Sequence, residues 1–244
     1  MALSSNSIIH FTNSKDALLG ILTDNFKLSY CNETVILKGN LISFAVPMVS
    51  FCDIPLSQVK NHITKYGKYG IGLTKEWAKK QKLNPVIYLE KNSKLSESYS
   101  RVYFEYAINS GKNLQDYDDI EKSVVDILRY IKNYQNNLVR GETVYKNYRF
   151  SDEREWRYVL DYNEPPLFIY PMVNFDKDIA NDSLSTYRLK FEPNDIKYVI
   201  IQNENEISEF IQRLRDAKGK NYSYHDVDRL MTRIITTEQI VEDF

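Results

Sequence analysis

Cysteine is scarce in this chain: Cys31 and Cys52 are the only two in 244 residues. That is too few for a disulfide framework, so the expected setting is a reduced cytoplasm. Long apolar runs are missing too, and with them any expectation of a signal peptide or a membrane span. Net charge is nearly absent, at -1, which argues against a strongly basic nucleic-acid coat or a polybasic membrane surface. Histidine occurs three times. His62 and His225 stand alone, and no clustered Asp/Glu/His set offers a metal site, so a metal-dependent nuclease finds little support. No repeat, low-complexity tract or linker breaks the chain. Phosphate-cradling loops are also missing, because the three glycines of Tyr66-Gly67-Lys68-Tyr69-Gly70-Ile71-Gly72 lack the following Lys-Ser/Thr and the dinucleotide spacing. They predict instead a close approach of the backbone to another segment or to a flat ligand.

What remains is an ordinary globular composition with an excess of tyrosine, 19 residues, which offers flat surface with a polar tip for clefts and interfaces. The length allows one large domain or two small ones.

The densest signal is Ser151-Asp152-Glu153-Arg154-Glu155-Trp156-Arg157-Tyr158-Val159-Leu160, a charged cluster running into a strand. Strand alternation puts Glu153, Glu155 and Arg157 on one face and Arg154, Trp156 and Tyr158 on the other. If Trp156 and Tyr158 anchor the core, Glu155 points into a cleft, with Arg157 beside it holding it ionised. The alternative is a solvated edge strand carrying ion pairs.

Elsewhere, Ile8–Asn13 reads as a strand that carries His10 and Thr12 on one face and delivers the chain to a helix capped by Ser14. Lys38-Gly39-Asn40 predicts a turn, and Pro47 predicts that the apolar run around it is split or bulged. A helix is expected from about Ser57 to Lys65 with Ser57 as its cap, and another after Thr74. Val86–Leu89, Leu167–Tyr170, Tyr187–Phe191 and Tyr198–Ile201 read as strands. Two amphipathic helices are marked by Tyr99, Val102, Tyr103, Tyr106 and Ala107 and by Ile120, Val124, Ile127, Leu128 and Ile131. Lys132–Tyr148 reads as polar and partly mobile, Asn174–Ser185 as a polar loop, and Glu204–Lys218 as a helix stopped by Gly219. The tail from Tyr224 reads as a helix through Leu230 followed by a strand at Arg233–Thr237, although periodicity alone does not decide it. The sum is an α+β fold, a single domain over 1–244 with a mostly antiparallel sheet, flanking helices and a helical insertion at about 93–140.

Taken together, the His10-x-Thr12 strand and helix, Val49-Ser50-Phe51-Cys52-Asp53-Ile54-Pro55, the Tyr66–Trp77 block, Pro85-Val86-Ile87-Tyr88 and Glu153-x-Glu155-Trp156-Arg157 resemble the AbiGi family of bacterial abortive-infection, phage-resistance proteins. The resemblance spans roughly residues 8–162. It implies an antitoxin that neutralises a partner toxin of nucleotidyltransferase type. A more distant similarity, to ADP-ribosyltransferases of the poly-ADP-ribose polymerase and DarT-like kinds, implies a split sheet that binds NAD as substrate. It further implies that His10, Thr12, Ser50, Phe51, Tyr69 and Arg157 bind NAD, and that Glu155 is catalytic with Glu153 beside it. The ADP-ribose acceptor would then be nucleic acid or protein.

Overall fold

A computed structural model describes residues 5–140, 142–162, 170–171, 176–219 and 222–243, with the side chains of 140, 170 and 171 left aside. The chain opens on strand β1 (Ser7–Thr12), and Ser14 caps helix α1 (Lys15–Asp24) by accepting the Ala17 N–H. Leu18 and Leu22, one turn apart, are the buried stripe of α1. Next come β2 (Phe26–Lys27), β3 (Ser29–Leu37) and β4 (Asn40–Cys52). Lys38 and Gly39 both take positive φ (48° and 84°), as a two-residue hairpin between right-twisted strands requires.

Helix α2 (Lys60–Tyr66) follows a single 3-10 turn, Leu56–Gln58. Its start has no side-chain cap, so Ser57 is not the cap the sequence suggested. β5 (Tyr69–Thr74) leads to α3 (Lys75–Lys80), where Thr74 accepts the Trp77 N–H. Then come β6 (Asn84–Pro85), β7 (Ile87–Leu89) and α4 (Lys94–Tyr103), which widens into a π-helical turn at Phe104–Ile108. α5 (Asp119–Arg129) starts on a reciprocal capping box between Asp118 and Glu121. β8 (Ile131–Asn133), β9 (Gln135–Arg140), β10 (Thr143–Arg149) and β11 (Glu155–Val159) carry the chain onward. The remainder holds β12 (Tyr170–Pro171), α6 (Lys177–Asp182), β13 (Arg188–Leu189), β14 (Ile196–Ile201), α7 (Ile207–Lys218), α8 (Tyr224–Met231), β15 (Ile234–Thr236) and α9 (Thr237–Asp243).

The chain divides into two compact units, one of residues 1–27, 50–83 and 187–244, the other of residues 28–49 and 84–186. In the first, β15, β14, β5 and β1 lie side by side, and Ile9 of β1 pairs in turn with Cys52. β14 and β15 are parallel and the other pairs antiparallel, so the sheet is mixed. The β5 glycines serve close packing, since a Cβ on Gly72 would lie 2.7 Å from the Tyr198 ring. In the second unit β3 pairs with β4 along its whole length, β11 pairs with β6, β7 runs parallel to β8, and β9–β10 form a separate hairpin. Its core joins Val35, Phe44, Val46, Leu89, Val124 and Leu128. The fold class is therefore α+β, as the sequence implied, and parallel pairs β14–β15 and β7–β8 stand among the expected antiparallel ones.

Several local expectations change. Pro47 sits inside continuous β4. Its neighbour across the hairpin, Tyr30, gives its N–H to Asn181 Oδ1, and the Pro47 carbonyl accepts from Leu160, the residue just past the end of β11. The missing donor therefore falls where the adjacent strand runs out, and the sheet tolerates it. Residues 132–133, 135–140 and 143–148 are strand, not mobile loop, with bonds from β9 to β10 holding a largely polar ribbon. Within 174–185 a helix capped by Asp176 replaces the expected loop. Ile120 and Ile127 face outward while Val124, Val125 and Leu128 are buried, and Ile131 begins β8 instead of extending α5. The tail holds the expected helix and then the expected strand, α8 and β15. Most of the expected Leu167–Tyr170 strand lies outside the described residues.

Candidate functional site

The charged stretch of the second unit forms a buried ion network. Glu155 and Arg157 alternate on the inward face of β11, with Arg157 wholly buried and Trp156 and Tyr158 only half-buried. This reverses the expected polarity of the strand: the charges face inward and the aromatics line the more open side. The Arg157 guanidinium donates through Nε to Glu155 Oε1 at 2.7 Å and through Nη2 to Glu155 Oε2 at 3.2 Å. Its Nη2 also pairs with Glu33 Oε2 at 3.0 Å, and its Nη1 donates to the Arg129 carbonyl at 2.7 Å. Lys132, on β8, donates to Glu155 Oε2 at 2.9 Å, lies 3.4 Å from Glu153 Oε2 and covers the Phe150 ring at 4.7 Å. Tyr88 accepts the Glu155 backbone N–H at 2.7 Å. Glu153 sits in the 3-10 turn that precedes β11, not on the strand itself.

Burial opposes the ionised form of Glu155, but the Arg157 and Lys132 charges and their hydrogen bonds outweigh it and hold the carboxyl below the usual range. Lys132 is likewise held charged above the ordinary lysine range, its burial outweighed by Glu155, Glu33 and Glu153. Both Glu155 oxygens are engaged by cations, so this carboxylate has a structural posture: a closed network in which each charge answers another. Sequence reasoning missed Glu33 and Lys132. Glu33 carried a signal, because the inward alternation of β3 reads Cys31, Glu33, Val35, Leu37, a charge on an apolar face. Lys132 carried none, since the polar run around it concealed a strand.

The other predicted residues belong to the first unit. His10, Ser50 and Phe51 come together, with the His10 Nδ1 at 2.8 Å from the Ser50 carbonyl, which makes Nδ1 the protonated donor. Edge-on contacts to Phe26 (5.3 Å) and Phe51 (5.7 Å) flank the imidazole, and Phe51 packs in turn on Trp77. Burial is the larger influence on His10 and lowers its pKa against the raising effect of the Ser50 carbonyl. Phe51 is almost fully buried, its ring committed to this aromatic nest. Thr12 lies opposite Tyr69 in the β1–β5 register. The Tyr69 hydroxyl donates to Glu206 at 2.8 Å, and its pKa is pushed up to about 12, first by desolvation and then by Glu206. Tyr69 also lines a cavity of about 580 Å³ with Asn13, Ile63, Gly67, Gln202 and Thr237.

The second unit has a larger depression, about 720 Å³, walled by Leu41, Ile42 and Phe44 of β4 and by Tyr103, Phe104, Ala107 and Ile108 at the π-helical turn. Leu41 and Ile108 are 67% and 53% exposed at its rim. Among the described residues no His, Cys, Asp and Glu side chains gather into a metal-holding group, and no helix is long and apolar enough to cross a membrane.

Comparison with known proteins places these features in a family. Residues 24–202 match the family described as "Putative abortive phage resistance protein AbiGi, antitoxin". The abortive phage resistance protein AbiGi of Lactococcus lactis subsp. cremoris is 29% identical over 226 residues, covering 82% of this chain and 89% of that protein. No solved structure matches. The matched segment contains β3 to β11, and with them the whole ion network and the apolar depression. On that evidence the chain belongs to the AbiGi family of abortive phage resistance proteins.

Proposed function

We propose that this protein is the binding, antitoxin-type member of an abortive-infection system and neutralises a partner toxin of nucleotidyltransferase type through the apolar depression of its second unit. The observation that carries this reading is the pairing of that concavity with exposed Leu41 and Ile108 at its rim. Apolar side chains around a concave patch are what a stable protein interface covers, and π-helical turns recur at functional positions. Phe44, Tyr103 and Val125 in the wall of the depression belong to the buried core, which limits the ordering cost of association. Co-expression with a nucleotidyltransferase-type toxin is the test. Wild-type protein should restore growth and co-purify with the toxin, while Leu41→Asp combined with Ile108→Asp should do neither yet melt as wild type. Equal rescue by both proteins would remove the depression from the mechanism.

A second reading, NAD-dependent ADP-ribosyl transfer to nucleic acid or protein, has one observation in its favour. Tyr69 lines a cavity within the size range of small-molecule sites, next to Thr12 in the sheet. The engagement of both Glu155 oxygens and the packing of Phe51 weigh against it. Titration with NAD decides: saturable binding lost in Tyr69→Ala supports this reading, as does label transfer abolished in Glu155→Gln, and absence of both refutes it.

A further inference from the structure

The first unit contains a buried lysine for which the antitoxin reading has no use. Lys218, the last residue of α7, is 4% exposed, and its ammonium lies 5.0 Å from the centre of the Phe191 ring. Among the described residues it has no hydrogen-bond or ion-pair partner. It lines a polar cavity of about 240 Å³ with Asn25, Lys80, Lys190 and Tyr222.

The groups facing that cavity are mainly donors. Asn25 spends its Oδ1 on the Phe191 N–H, which leaves the amide Nδ2 for the cavity. Tyr222 is kept protonated by its burial and by Glu192 and Asp195, so its hydroxyl can donate. Glu192 and Asp195 also line the space, but they form a reciprocal cap on the 3-10 turn Pro193–Asp195, in which Asp195 Oδ2 accepts the Glu192 N–H at 2.8 Å. The C-terminal ends of α1, α3 and α7 meet here, and their partial negative charge favours a lysine at this place. The ammonium is not sealed off: it faces the cavity, so acceptor oxygens of a ligand entering there would be its partners.

We propose that this cavity binds a phosphate-sized oxyanion, either the free ion or the phosphoryl end of a larger molecule, with Lys218 and the Asn25 amide as its inner donors and Lys80 and Lys190 at its mouth. The volume fits that class, since it lies below the ~300 Å³ where sites for larger organic ligands begin.

The test is calorimetric titration of the full chain with inorganic phosphate, with adenosine monophosphate as a second arm. Wild type should bind phosphate saturably. Lys218→Met, which keeps an unbranched stem over Phe191 and drops the charge, should weaken binding about tenfold or more, the scale of one lost charge-assisted bond. Asn25→Asp, which turns the donor into an acceptor, should weaken it similarly. Tighter binding of adenosine monophosphate than of phosphate would assign the phosphoryl group to a larger ligand, and equal or weaker binding would assign the free ion. Should both inner variants fail to fold, Lys190→Ala, an exposed change, should still weaken binding severalfold. No saturable binding of either probe by wild type, or unchanged affinity in Lys218→Met, would overturn the proposal.

Discussion

Arg157 is the residue whose loss should cost this fold most for its size. Its guanidinium is wholly buried and donates to Glu155 twice, to the Arg129 carbonyl once, and pairs with Glu33. Arg157→Met fills similar volume with an apolar stem but leaves Glu33, Glu153 and Glu155 facing Lys132 alone. Removing one partner of a buried pair costs about 3–5 kcal/mol, because the other charge stays behind without water or counter-ion. For a chain of this length, each kcal/mol moves the melting temperature by about 2–4 °C, so a drop on the order of 10 °C is expected. Urea unfolding followed by circular dichroism gives the free energy directly, and adding Glu155→Gln separates charge from packing. The double variant should recover about 1–3 kcal/mol relative to the sum of the two single losses, since each single change strands the other's partner.

The pH dependence of the same network has a definite sign. Glu155 titrates below its unfolded value in the fold, so its contribution is full above about pH 4.3 and is lost as pH falls through the depressed folded value. Lys132 titrates above its unfolded value, so its contribution is full below about pH 10.4 and is lost on the alkaline side. The network's own contribution should therefore be constant between these limits, and Arg157→Met should lose its acid-side stability at a higher pH. A loss below about 1 kcal/mol in Arg157→Met, or strict additivity with Glu155→Gln, would show that the network contributes little and that the reasoning is wrong.

Other outcomes follow from the first unit. His10 is held neutral in the fold, so as pH falls below about 6.5 the unfolded chain takes up a proton the native state refuses, and stability declines. His10→Asn keeps a donor for the Ser50 carbonyl but does not titrate, so its urea midpoint should change less than wild type's between pH 7.5 and pH 5.5; an equal change would clear His10. Gly67 takes φ 118°, and a Cβ there would lie 2.3 Å from the Thr12 carbonyl and the Asn13 nitrogen. Gly67→Ala should thus cost about 2 kcal/mol or more in urea unfolding, and a neutral result would contradict the backbone geometry. Trp77→Ala removes a ring packed on Phe26 and Phe51 and an indole N–H that donates to the Lys190 carbonyl, which should cost about 3–5 kcal/mol by the same measurement.

How much of the fold could be read from sequence depended on whether an element advertises itself through burial. α1 and α3 were legible from their caps and apolar spacing, and β14 from its run of branched residues, because packing against a core selects those patterns. The β9–β10 ribbon was not. Leu138 is buried, but Val139, Thr143, Val144, Lys146 and Arg149 face water, so backbone bonds hold the ribbon and alternation barely marks it. α6 failed for a related reason: it is six residues long with only Ala180 buried, too short for a period to register. Pro47 misled because a proline's cost depends on whether a neighbouring strand is present to miss its N–H, a property of the sheet and not of the residue.

The charged stretch shows the same limit at the level of function. Alternation correctly joined Glu155 to Arg157, and the pairing that holds Glu155 ionised was legible from two positions in one strand. Which side of that strand faces inward was not, since Trp and Tyr tolerate half-burial and a charge can be buried once it is paired. The decision rests on Glu33 and Lys132, respectively 122 residues before and 23 residues before Glu155 in the chain, whose arrival converts an exposed pair into an interior one. A carboxylate poised for catalysis keeps an oxygen or a changeable proton facing its substrate, whereas Glu155 gives both oxygens to fixed cations. Under the proposed antitoxin reading the charged stretch serves rigidity, and the part of the second unit offered to a partner is its apolar depression.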